Sequence, residues 1–152
     1  MEQITKISVM GAGQMGHQIA MLCALGGLET TLYDLDEGQL LKAEKALNTL
    51  MNQWVQKGKI NEEEKGLAFS KLSFTHDFER AAASPDLVIE AVVEKLSVKK
   101  ELFQALERKV PSHTIFATNS STIVNSLLAT VTERPDKFVN MHFFFPPLVM
   151  NC

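Results

Sequence analysis

The sequence predicts an α/β fold built on a doubly wound, mainly parallel sheet. Three observations carry that prediction. β-Branched and apolar runs alternate with helical patterns along all 152 residues. The first run, Ile4 to Val9, opens directly into Gly11-Ala12-Gly13-Gln14-Met15-Gly16. A second run, Glu29-Thr30-Thr31-Leu32-Tyr33, ends in an acid, Asp34, 18 residues after Gly16. Strands that alternate with helices form parallel sheets covered on both faces, and ligands sit at the carboxyl ends of their strands.

The elements follow in order. Ile19, Leu22, Cys23 and Gly26 recur at helical spacing after the glycine turn, and Gly26-Gly27 supplies a helix stop. A long helix starts at Asp36 or Glu37, repeats Leu40, Leu41, Leu47, Leu50, Met51 and Trp54, and ends near Lys57-Gly58. Asn61 followed by Glu62-Glu63-Glu64 reads as an N-cap and an acidic first turn. Two helices in a row predict a helical hairpin inserted after the second strand and projecting from the sheet. Lys71 to Thr75 reads as a short strand, Asp77 to Ala83 as a short helix, and Leu87 to Val93 as a strand buried on both faces. Val98 to Val110 is an amphipathic helix with Leu102, Phe103, Leu106 and Val110 inward, stopped by Pro111. Thr114 to Thr118 is a strand, Ile123 to Ala129 a short helix, and Lys137 to His142 a last strand before an apolar tail.

Composition bounds the function. Hydrophobic residues make up 45%, enough for one domain with a real core, and net charge is −3 with no basic stripe. That balance argues against nucleic acid and against an anionic membrane surface as partners. No apolar run approaches the ~20 residues of a membrane span. The first residues lack the pattern of a signal peptide, and Cys23 and Cys152 form neither a metal spacing nor a disulfide framework. Cys23 reads as a buried thiol, and the profile as cytoplasmic.

The glycine turn has the spacing of a Rossmann-like dinucleotide site. Gly11 would allow the tight turn, Gly13 the approach of a pyrophosphate, and Gly16 close packing of helix on strand. The helix start offers free N–H groups to phosphate, and Asp34 stands where a carboxylate accepts from ribose hydroxyls. Asp34 could instead cap the next helix, a task open to Asp36 as well. The strand ends also collect Ala91 to Glu94, Asn119 to Thr122, and His142. An imidazole beside a nicotinamide suits removal of a hydroxyl proton, although His142 would serve equally as a core histidine. Ser121 could hold a substrate oxygen or cap a helix. Asn119 could meet a ribose or form an Asx-turn, and Glu94 could face the cleft or start a helix. Lys99 could pair with Glu94, reach cofactor, or be a solvated helix lysine.

Taken together, GAGQMG at 11–16, LYD at 32–34, VIEAVVEKLSVKKELF at 88–103, TIFATNSSTI at 114–123 and HFFFPP at 142–147 form a specific ordered set. Over its whole length the chain resembles the NAD-binding domain of the L-3-hydroxyacyl-CoA dehydrogenases, the 3-hydroxybutyryl-CoA dehydrogenases among them. The resemblance implies NAD-dependent oxidation of an L-3-hydroxyacyl-CoA to the 3-oxo form, in fatty-acid oxidation or butanoate metabolism, with an acyl-CoA as substrate. It implies His142 as catalytic base, Ser121 on the substrate oxygen and Glu94 as their companion in the site. It places NAD against Gly11, Ala12, Gly13, Gln14, Met15, Gly16, Asp34, Ala91, Val92, Glu94, Lys99 and Asn119, and CoA against Lys57. Asp34, with no Arg nearby for a 2′-phosphate, implies NAD over NADP.

Three departures qualify the match. Phe145 stands where the family more often has Asn. The family's glutamate partner for the histidine lies beyond Cys152, and so does its C-terminal helical domain. Residues 1–152 are therefore expected to be an NAD-binding domain incomplete at its C-terminal end. On its own the chain should turn over slowly, because an orienting carboxylate fixes the imidazole tautomer. Phe143, Phe144 and Phe145 would sit on an open edge that invites self-association. Two other readings stay open: an NAD-dependent dehydrogenase of a non-CoA hydroxy acid or sugar acid, and a non-catalytic NAD-binding or structural protein.

Overall fold

The computed structural model describes residues 3–119 and 125–141. They form a six-stranded, wholly parallel sheet of order β3-β2-β1-β4-β5-β6. The strands are β1 (Lys6–Met10), β2 (Glu29–Tyr33), β3 (Leu72–Thr75), β4 (Leu87–Glu90), β5 (Ile115–Thr118) and β6 (Phe138–Asn140). The helices are α1 (Gln14–Leu25), α2 (Glu37–Gln56), α3 (Glu62–Lys71), α4 (Phe78–Ala82), α5 (Leu96–Glu107) and α6 (Asn125–Ala129). Strand order reverses between β1 and β4, the expected doubly wound arrangement.

Alternation along the strands divides the core into two clusters. Ile7, Val9, Leu32, Leu87 and Ile89 pack with Ile19, Ala20 and Ala24 of α1 and with Leu40, Leu47 and Met51 of α2. Met10, Val88 and Phe116 pack on the opposite face with Phe103 and Leu106 of α5, Leu128 and Phe138. Phe103 is the hub of an aromatic cluster, its ring 5.3 Å from Phe116 and 4.8 Å from Phe138.

The helix starts are written in short polar side chains. Asp36 caps α2 by accepting from the Gly38 N–H at 2.8 Å, and Asp77 caps α4 in the same way. Asn61 caps α3 as expected, and Glu64 reaches back to complete a reciprocal capping box. Gly27 takes the left-handed conformation (φ +87°) that closes α1. The two helices inserted after β2 are present, and the inner side of α2 belongs to the same cluster as α1.

Several boundaries and faces differ from the sequence reading. β4 stops at Glu90 rather than Val93, because the Glu90 carboxylate accepts the Val92 N–H and turns the chain out of the ladder. α5 begins two residues earlier and ends at Glu107, with a turn before Pro111. Lys71 closes α3 rather than opening β3. A 3-10 turn, Pro135–Lys137, precedes β6, since proline fits a helical first position and cannot donate to a ladder. Leu41, expected inside, is 67% exposed, because α2 is covered along only one stripe. Cys23 and Leu22 are half-buried at the margin of the core, whose α1 contacts include the buried Met21 and Ala24. Among the described residues no helix is long and apolar enough to cross a membrane.

Candidate functional site

Register brings the candidate residues to one level. Met10 pairs with Tyr33 and with Glu90, Glu90 with Thr118, and Thr118 with Asn140. The next residue on each of these strands is therefore Gly11, Asp34, Ala91, Asn119 and Met141. Backbone bonds carry the ladder one step further at this level. The N–H of Gly11 donates to Tyr33 O at 2.8 Å, Ala91 to Met10 O at 2.8 Å, Asn119 to Glu90 O at 3.0 Å and Met141 to Thr118 O at 3.0 Å.

The three glycines meet different surroundings. Gly11 has φ +111°, and a Cβ there would stand 2.6 Å from Ala91 O, so the β1 and β4 loops touch backbone to backbone. A Cβ on Gly16 would stand 1.7 Å from Gly11 O, which lets α1 lie directly on the turn. Around Gly13 nothing comes within 4 Å of such a Cβ. No contact among the described residues requires glycine at 13. Among the described residues no side chain caps α1, and its first turn contains no acid, so its leading N–H groups are available to an anion.

Asp34 is half-buried beside this turn. Its Oδ2 accepts the Ala12 N–H at 2.9 Å, and its Oδ1 accepts the Asp36 N–H at 2.9 Å. The capping task falls to Asp36. Each Asp34 oxygen keeps further lone pairs for a hydroxyl donor. A cleft of about 400 Å³ is lined by Gly11 and Gly13 after β1, by Asp34, Asp36 and Gln39 after β2, and by Ala91, Val92 and Val93 after β4. It lies at the topological switch point. These residues fit a dinucleotide: an uncapped helix start with open space over its glycine, an acid at ribose distance along the chain, and small apolar walls.

Below the cleft lies a buried charged group. Lys99 is not a solvated lysine: its side chain is 1% exposed, with Nζ 2.9 Å from Glu90 Oε1 and 3.2 Å from Glu94 Oε1. These are ion-pair contacts rather than well-aligned hydrogen bonds. The early start of α5 turns position 99 under the end of β4. Two carboxylates there offset the desolvation of one ammonium. Glu90, fully buried, also accepts the Thr118 hydroxyl. Glu94, at the outer end of the group, is 37% exposed. At the end of β2, where its ring packs on Phe78, burial pushes the Tyr33 phenol above its usual range, reinforced by the charges of Asp34 and Asp77.

The structure thus draws together Gly11, Gly13, Asp34, Ala91 and Val92. Ala12 and Gly16 lie buried in the turn behind them, and Gln14 and Met15 open α1. Asn119 stands at the same level on the next strand. Lys57 is exposed at the C-terminal end of α2, about 30 Å along a 20-residue helix from the turn that abuts the cleft. Lys57 is not among the residues that line the cleft. Ser121, His142 and Phe143 to Phe145 lie outside the described residues. Glu90 escaped the sequence reading although it carried a signal, being the one charged residue in the run Leu87 to Val93. Val93 lines the cleft within the expected cluster Ala91 to Glu94, whereas Asp36 and Gln39 were missed as lining residues, because sequence spacing does not say which loops face each other.

Comparison with known proteins agrees with this geometry. Residues 6–152 match the family model described as 3-hydroxyacyl-CoA dehydrogenase, NAD binding domain. A curated protein of Bacillus subtilis (strain 168), named probable 3-hydroxybutyryl-CoA dehydrogenase, is 36% identical over 97% of this chain and 51% of its own. The crystal structure of 3-hydroxybutyryl-CoA dehydrogenase from Escherichia coli K12 superposes with TM-score 0.94 at 34% identity, covering 98% of this chain and 31% of that one. A structure described as a diketoreductase acting on dicarbonyl compounds gives TM-score 0.92 at 36% identity, over 99% of this chain and 54% of that one. The chain spans about half the length of the curated relatives it matches. With the motif order, the parallel sheet and the cleft at its switch point all in agreement, this chain belongs to the family of 3-hydroxyacyl-CoA dehydrogenase NAD-binding domains.

Proposed function

We infer that the chain holds NAD in the cleft between the β1, β2 and β4 loops and serves as the cofactor domain of an NAD-dependent L-3-hydroxyacyl-CoA dehydrogenase. The observation that supports this most is the open space over Gly13. Gly11 and Gly16 are demanded by contacts within the protein, whereas Gly13 is left for something outside it.

In this reading the pyrophosphate lies on the α1 start, over Gly13, Gln14 and Met15, and Asp34 accepts from the adenosine ribose. Ala91 and Val92 wall the cleft, with Glu94 at its rim and Asn119 toward the second ribose. Bound there, the nicotinamide supplies the acceptor for a hydride from the substrate's hydroxyl carbon. His142 takes the hydroxyl proton, and Ser121 orients the same oxygen. The described chain reaches Met141, one residue short of that histidine, and Met141 is hydrogen-bonded at the carboxyl end of the sheet. Lys57 is the candidate for CoA.

Fluorescence titration with NADH tests the cofactor assignment, with saturable binding expected and none at millimolar cofactor refuting it. Turnover of acetoacetyl-CoA, and its loss in His142→Ala, tests the chemistry. Similarity to a diketoreductase at 36% identity keeps one second reading in play, a dehydrogenase of a carbonyl substrate without CoA. Comparing acetoacetyl-CoA with free 3-oxo acids and simple diketones separates the two readings, and in the second Lys57→Ala should change nothing.

A further inference from the structure

One buried group has no task in the assignment above. Glu90 ends β4 with none of its surface exposed. Its Oε2 accepts the Val92 N–H at 2.9 Å. Its Oε1 accepts the Thr118 hydroxyl and stands 2.9 Å from Lys99 Nζ. A buried carboxylate is costly to desolvate, and an apolar residue could close the strand without that cost. What this carboxylate holds, however, borders the cleft. Val92 lines the cleft, and Lys99 links Glu90 to Glu94 at 3.2 Å.

We propose that Glu90 is a positioning residue of the cofactor cleft. Its carboxylate fixes the turn at Ala91 to Val93 through the Val92 N–H. Through Lys99 it also holds Glu94 at the rim. Lys99, 1% exposed, couples the buried carboxylate to the rim from beneath. The proposal rests on the dinucleotide reading of the site.

The test is the double variant Glu90→Leu/Lys99→Met, read against Lys99→Met alone. It removes both buried charges at similar volume together with the acceptor for the Val92 N–H. NADH affinity is measured by fluorescence titration well below the melting midpoint, so that only folded protein is compared. A Kd raised at least fivefold supports the proposal, because a purely structural role would lower the melting temperature without changing binding by the folded chain. An unchanged Kd overturns it. If the double variant shows no cooperative melting, Thr118→Val decides, since it takes one donor from Glu90 and leaves the charges in place. A twofold to fivefold weaker NADH affinity is expected there, and an unchanged one overturns the proposal. If the wild-type chain gives no saturable NADH binding, the dinucleotide reading itself fails and the proposal with it. Wild-type binding with unaltered variants refutes the positioning role alone.

Discussion

Gly11, Gly13 and Gly16 share a motif but carry different burdens, and one substitution separates them. Gly16→Ala drives a Cβ to 1.7 Å from a backbone oxygen, so α1 must lift from the turn. The expected loss is about 3 kcal/mol, read as a fall in melting temperature of roughly 6–12 °C. Gly13→Ala meets nothing within 4 Å and has an extended backbone with φ −71°. It should cost no more than about 1 kcal/mol, as expected for a small change at an N-cap. The same Gly13→Ala variant should weaken NADH at least tenfold by titration, if phosphate occupies that space. A Gly13→Ala protein that binds as wild type would count against the site assignment.

At the scale of elements, two polar clamps hold the sheet at the end away from the cleft. Arg134, 8% exposed, donates from Nε to Glu107 at 2.9 Å and from Nη1 to the carbonyls of Pro111 and Thr114. It also lies over the Phe116 ring. One side chain therefore joins the end of α5, the entry to β5 and the segment before β6. Arg134→Ala should cost about 3–5 kcal/mol in denaturant unfolding, since it leaves Glu107 and two carbonyls without their partner. Asp86 joins β4 to β1. The N–H groups of Thr5 and Lys6 and the side chains of His113 and Thr5 hold its carboxyl far below the usual carboxylate range. A lowered folded value stabilises the ionised form. The contribution is complete above the unfolded value near pH 4 and drains away as pH falls toward the folded value. Asp86→Asn should therefore lower the melting temperature at pH 7, and the gap from wild type should close as pH drops below about 4. A gap that stayed constant down to pH 2 would rule out this linkage.

For the whole molecule, a ligand that seats across the loops of three strands should tie them together. NADH at about one hundred times its Kd adds about 2.7 kcal/mol, a rise in melting temperature of roughly 5–10 °C for a chain of this size. NADPH should give a smaller rise at equal concentration, because its 2′-phosphate would face the Asp34 carboxylate. Equal shifts for the two cofactors would argue against Asp34 as the ribose acceptor. Much of this architecture was legible beforehand, because the period of the hydrophobic pattern and the capping residues act locally. Asn61 and Glu64, Asp36 and Gly27 all do what their neighbours in sequence ask of them. The errors came where contact was non-local. Leu41 looked like core because it is leucine, but only the packing of α2 decides which stripe is covered. For Lys99 the pair with Glu94 was one of the readings open from the sequence and is present, but its burial and its contact with Glu90, nine residues earlier, depend on packing.

The sequence by itself determined the strand–helix alternation, the glycine turn and its acid, and with them the family. Each rests on backbone preferences and spacings that a short stretch of chain imposes on itself. Only the tertiary structure decided that Gly11, Asp34, Ala91 and Asn119 share one level, that of the three motif glycines Gly13 faces open space, and that Glu90, Lys99 and Glu94 form one charged group, buried at Glu90 and Lys99. Those are matters of sheet register and of the balance between desolvation and ion pairing, and neither exists until distant segments are brought together.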